Sequence, residues 1–167
     1  NGWIIMDCLA SSDTAKAALE LFKSEMGDIH IVAVIISHAH IDHYGGIQGV
    51  LTQDELADPS LSLDEQIASG KTAIIVPDGF ENAVMSENVF VGTAMKRRSL
   101  YQYGSVIQPG EQGRLSVGIG LAVSQGEVGY LSPTFNVTEE VFETTIDGVK
   151  VIFQLTPDTE SPAEMNT

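Results

Sequence analysis

A six-residue apolar run, Ile31-Val32-Ala33-Val34-Ile35-Ile36, constrains this chain more than any other segment. It is continuous, mostly β-branched and flanked by polar residues, so it predicts a central strand covered on both faces. An earlier apolar run, Trp3-Ile4-Ile5-Met6, ended by Asp7, reads as a second buried strand. Between them Ser11-Ser12-Asp13 offer helix N-caps, Ala15, Ala18, Leu19 and Phe22 recur at helical spacing, and Gly27 supplies a stop. Strand, helix, strand is a βαβ unit, which makes the fold class α/β with at least one parallel pair.

The rest of the chain is punctuated by glycine and proline. A polar loop, Ser37 to Gly46, leads into a second helix expected to start near Ile47. The polar stretch from Gln53 to Gly70 reads as a surface insertion, and Ala73 to Val76 as a strand stopped by Pro77. Glu81 to Tyr103 should be largely helical. Gly104 to Gly129, with seven glycines and no periodicity, reads as a long loop. Thr144-Thr145-Ile146, Asp147-Gly148 and Val149 to Leu155 form a predicted hairpin.

Charge and composition narrow the function classes. The 167 residues carry 8 Lys and Arg against 23 Asp and Glu, a net charge of −15. A surface this acidic repels phosphate backbones and anionic membranes, so nucleic acid is not an expected partner. No apolar run approaches a membrane span, and no basic-plus-apolar leader opens the sequence as given. The single cysteine, Cys8, has no partner for an internal disulfide. The chain opens Asn1-Gly2-Trp3 without Met and stops at Met165-Asn166-Thr167, so both ends read as cut from something larger.

The chemistry concentrates in one place. Three of the four histidines fall within Ser37-His38-Ala39-His40-Ile41-Asp42-His43-Tyr44-Gly45-Gly46. This cluster follows the buried strand, where α/β folds place ligands. Imidazole nitrogens and carboxylate oxygens are zinc ligands, and without a cation the cluster would crowd a carboxylate among imidazoles to no purpose. His38 and His40, two apart, can grip one ion, while Asp42 and His43 can face a second. Asp42 is also the candidate catalytic residue. His30, before the strand, reads as structural.

The run SHAHIDHYGG resembles the H-x-H-x-D-H signature of the metallo-β-lactamase superfamily, and the early Asp7 is similar to that superfamily's opening. Three further segments resemble its alkylsulfatases: Pro77-Asp78-Gly79-Phe80, Ser86-Glu87-Asn88-Val89, and Ala94-Met95-Lys96-Arg97-Arg98-Ser99-Leu100-Tyr101-Gln102-Tyr103-Gly104. Thr156-Pro157-Asp158-Thr159-Glu160-Ser161-Pro162-Ala163-Glu164-Met165 is similar to the family's TPxTEAPAEM stretch, with Ser161 where Ala is usual.

The resemblance implies an αβ/βα sandwich with mixed sheets, of which 167 residues would hold only part. It implies Glu160 as a further metal ligand, with Glu87 the competing carboxylate, and two zinc ions in the intact site. It implies hydrolysis of alkyl sulfate esters to alcohol and sulfate, a homodimer, and a periplasmic or secreted location. The family's remaining ligands, its dimerisation region and its C-terminal lipid-carrier-like domain have no counterpart in these residues. A phosphodiesterase, lactonase or thioesterase of the same superfamily, or an inert truncated module, are the competing readings. Lys96-Arg97-Arg98 reads either as a sulfate clamp or as a solvated helix face.

Overall fold

The computed structural model describes residues 2–118 and 120–167. The expected βαβ unit is present: β1 (Trp3–Met6), α1 (Ser12–Met26) and β2 (Ile31–Ile35), with β1 and β2 parallel. The Ser11 hydroxyl accepts from the Thr14 amide at the start of α1, and Gly27, at φ +89°, ends it. There follow α2 (Ile41–Tyr44), α3 (Leu63–Ala68), β3 (Ala73–Pro77), α4 (Phe80–Met85), a π-turn over Ser86–Phe90, and α5 (Gly92–Gln102). The chain ends in β4 (Phe135–Val137), β5 (Val141–Ile146), β6 (Val149–Leu155) and β7 (Met165–Asn166).

Two sheets result. One is parallel in the order β1-β2-β3-β4, and the other is antiparallel in the order β5-β6-β7. Every residue of β2 and β3 is buried, as the unbroken apolar runs require. Alternation along these strands divides the interior. Val34, Ile36, Ile74 and Val76 meet Tyr44, Ile47 and Phe80 on the helical side. Ala33, Ile35, Ala73 and Ile75 meet Ile146, Phe153 and Met165 of the antiparallel sheet. The hairpin turn places both Asp147 and Gly148 at positive φ, 47° and 86°, the geometry that favours an Asp-Gly pair.

The helix expected from Ile47 is reduced to a single turn over Ile47–Gly49, after a four-residue α2. The cause is backbone packing. A Cβ at Gly45 would lie 2.6 Å from the Ala10 carbonyl oxygen, and one at Gly49 would lie 2.8 Å from the Lys16 amide. The glycines let two main chains touch where a continuing helix would need room. In the 53–70 stretch, α3 starts on a Ser62–Glu65 capping box and sends Leu63 and Gln66 into the interior. The Gln66 amide donates to the carbonyls of Leu61 and Thr134, both at 3.0 Å.

Among the described residues, 104–129 holds neither helix nor strand. Its far end is tied to the start of α1, the Ser12 amide donating to the Glu127 carbonyl at 2.8 Å. Phe22, at helical spacing with buried Ala15, is nevertheless 63% exposed and stands edge-on to Trp3. Between β1 and α1 lies an open apolar trough of about 470 Å³, lined in part by Ile5, Ala18, Leu19 and Met26. No helix among the described residues is long and apolar enough to cross a membrane.

Candidate metal centre

The parallel strands β1 and β2 deliver their carboxyl ends to one edge, Asp7 after the first and Ser37 to His43 after the second. The loop after β6 reaches the same edge. His38 and Glu164 form an isolated antiparallel bridge, and the Met165 amide donates to the Ser37 carbonyl at 2.9 Å. Glu160, at the tip of that loop, therefore comes to face the histidines from the other sheet.

His38, His40 and Glu160 converge, with one ligand atom from each lying within 4.8 Å of the others. His38 Nε2 is 3.0 Å from His40 Nδ1, and Glu160 Oε1 is 3.5 Å from His40 Nδ1 and 4.0 Å from His38 Nε2. Ligand atoms around one tetrahedral ion with bonds of about 2.0–2.1 Å stand roughly 3.3 Å apart. The three separations bracket that value, so the donor set is compatible with a zinc-sized ion after small side-chain adjustments. His38 is buried, and burial holds its imidazole below the usual range, with the neighbouring imidazoles adding to the effect. A neutral ring is the form that ligates a metal.

Asp42 and His43 stand beside this group. The ring centroids of His43 and His38 are 3.9 Å apart, and His43 Nε2 is 3.6 Å from Asp42 Oδ2. His43 Nδ1 is held by Asp7 Oδ2 at 2.7 Å, which leaves Nε2 turned toward Asp42. Asp7 is the organiser that the residue pattern around His38 did not announce. Its carboxylate also accepts from the Ser37 amide at 2.8 Å and the Ser37 hydroxyl at 3.0 Å. Burial pushes the Asp7 carboxyl up, but the bonds from His43 and Ser37 outweigh it and leave it below the ordinary range. The same bond raises His43. The sequence signal for Asp7 was an acidic residue ending an apolar strand, here at φ +56°, a conformation that few non-glycine residues hold without compensation.

His30 is exposed at the opposite end of β2. Lys96, Arg97 and Arg98 are exposed on α5, and Tyr101 is 89% exposed. Cys8 is buried, and its thiol is pushed up to about 12 by burial, with the Asp7 charge adding to it. It is inert packing rather than a nucleophile.

Glu160 owes its position to Glu164. One carboxylate oxygen of Glu164 accepts from the Glu160 amide at 2.8 Å and the Ser161 amide at 3.0 Å. If this group holds a zinc ion, Glu164→Ala is expected to weaken its binding by about tenfold, as losses of outer supports do, while Glu164→Gln keeps an acceptor and most of the affinity. Titration against a chromophoric chelator measures both, and an Ala variant within twofold of wild type would overturn the assignment.

Comparison with known proteins bears on the fold and on what the chain resembles. A model of the metallo-β-lactamase superfamily matches residues 1–57. An alkyl/aryl-sulfatase of Saccharomyces cerevisiae is 40% identical over 162 residues, covering 97% of this chain and 23% of its own. A linear primary-alkylsulfatase of Pseudomonas sp is 40% identical over 166 residues, 99% of this chain and 23% of the relative. Over nearly its whole length the chain is thus similar to alkylsulfatases, and its first third matches the metallo-β-lactamase superfamily. An (R)-specific secondary-alkylsulfatase of Pseudomonas sp follows at 34% identity, with 99% of this chain and 24% of the relative covered. The solved structure of a stereoselective inverting sec-alkylsulfatase from Pseudomonas sp. superposes with a TM-score of 0.84 at 33% identity, covering 98% of this chain and 24% of that one. The α/β fold is thus the alkylsulfatase variant of the metallo-β-lactamase fold. The chain spans about a quarter of the length of these relatives.

Proposed function

We propose that the protein carrying these residues hydrolyses alkyl sulfate esters to alcohol and sulfate with the help of two zinc ions. The observation that carries this reading is the convergence of His38 Nε2, His40 Nδ1 and Glu160 Oε1. The names of the alkylsulfatase relatives supply the substrate class. In this reading residues 1–167 are a partial metallo-β-lactamase-like domain, and the family's dimerisation and lipid-carrier-like regions are not among them.

His38, His40 and Glu160 would hold one ion, Asp42 and His43 a second. When bound, such ions supply Lewis acidity toward water and toward the sulfate oxygens. The protein's own groups divide the remaining work. Asp7 holds the Nδ1 proton of His43 and so commits that ring to presenting Nε2. Ser37 Oγ lies 2.9 Å from His38 Nδ1 and fixes the orientation of that ring in turn. Asp42, exposed beside His43, is the group we assign to accept the proton lost by the attacking water. With Glu160 and Glu87 close by, the bare site is acidic and would repel an anionic ester, so metal charge is what makes it hospitable.

The test uses the full-length protein and dodecyl sulfate. Sulfate release is expected to stop with a chelator, to return on adding zinc, and to be lost in His38→Ala. Release that survives both chelation and that substitution would overturn the reading.

A further inference from the structure

His40 is flanked by carboxylates on both edges of its ring. Nδ1 faces Glu160 and His38, while Nε2 faces Glu87 Oε2 at 3.7 Å. The two lone-pair directions of an imidazole diverge, so a single ion cannot take both nitrogens. Glu87 therefore lies behind His40, outside the group formed by His38, His40 and Glu160.

The fold goes out of its way to put Glu87 there. It sits in the π-turn Ser86–Phe90 that joins α4 to α5, a rare widening that re-aims side chains and recurs at functional sites. Asn88, Val89 and Phe90 of this turn face solvent, whereas the Glu87 side chain is only 24% exposed. The Asn88 amide donates to the Val84 carbonyl at 3.1 Å and pins the turn to α4.

We propose that Glu87 is a positioning residue for the metal. Its Oε2 stands 3.7 Å from His40 Nε2, just outside hydrogen-bond distance, and a small side-chain rotation lets it accept the Nε2–H, which fixes the tautomer whose Nδ1 lone pair points at the ion. This rests on the metal-site reading above. Carboxylates that receive the second N–H of a ligating histidine fix its tautomer and raise its basicity, and losing one costs about 10- to 100-fold in metal affinity.

The experiment is zinc titration of the full-length protein against a chromophoric chelator, paired with long-range proton–nitrogen NMR of the histidine rings in the metal-free state. Glu87→Ala is expected to weaken zinc binding by about 10- to 100-fold and to release His40 from its single tautomer. The metal-free melting temperature should stay unchanged. Glu87→Gln, whose amide oxygen can still accept, is expected to keep the tautomer and recover part of the affinity. An Ala variant with unchanged affinity and tautomer would overturn the proposal while leaving the metal reading intact. Loss of a whole metal equivalent in both variants would also overturn it, making Glu87 a ligand. A wild-type protein that takes no zinc would overturn the metal reading itself.

Discussion

Gly46→Ala is expected to cost roughly 3 kcal/mol or more of folding stability, the upper end for overpacking against atoms that cannot yield. A Cβ there would fall on the Cys8 carbonyl oxygen, and would also lie 2.7 Å from the Ala15 side chain and 2.9 Å from the Ser11 carbonyl oxygen. Two of the three are backbone. Gly46 also donates its own amide to the Leu9 carbonyl at 2.8 Å, so the segment cannot slide away without breaking that bond. Gly27→Ala provides the comparison: φ is +89° but nothing lies within 4 Å of the added carbon. At ψ 167° Gly27 sits in a region almost confined to glycine, so this substitution should cost about 1–3 kcal/mol through backbone conformation alone. Urea unfolding followed by circular dichroism separates the two. Equal losses would show that φ, not contact, governs both.

That contrast also marks where the sequence was legible. The βαβ unit could be read because β2 is apolar at every position and α1 carries Ser11 and Gly27 at its ends. The hairpin could be read because Asp-Gly accepts positive φ at both turn positions. Phe22 could not: its spacing matches the buried face of α1, yet the trough beside β1 leaves it exposed. Nor could β4 and β7, three and two residues long, too short to show a period.

The metal cluster was legible in part for the same kind of reason. His38, His40, Asp42 and His43 lie close together in the chain, so their type and spacing suggested their chemistry. Glu160 needed a resemblance to be picked out from 23 acidic residues. Asp7 supports His43 from 36 positions away, and that contact exists only once β1 and β2 pair. The orientation of Glu87 depends on one extra residue in a helical turn, which no hydrophobic pattern records.

His38→Ala is expected to weaken zinc binding by at least about a hundredfold. It removes a direct ligand of the proposed centre, which should cost no less than the loss of an outer support. The buried ring also cannot be replaced by water without disturbing Ser37 and His40, which both bond to it. Its backbone bridge to Glu164 does not involve the side chain, so the loop that carries Glu160 should stay docked. His30→Ala, at the far end of β2, should leave the affinity unchanged. Calorimetric titration of the two variants decides the matter, and similar zinc affinities would remove His38 from the site.

The central strands β2 and β3 belong to both interiors at once: one row of their side chains packs under the helices and the other against the antiparallel sheet. The histidines beyond β2 are therefore attached to strands that serve both interiors. Binding and unfolding are then thermodynamically linked. At a free zinc concentration one hundred times the dissociation constant, occupancy of the proposed centre would add about 2.7 kcal/mol to the stability of the fold that carries it. A thermal melt therefore doubles as a binding assay that needs no substrate.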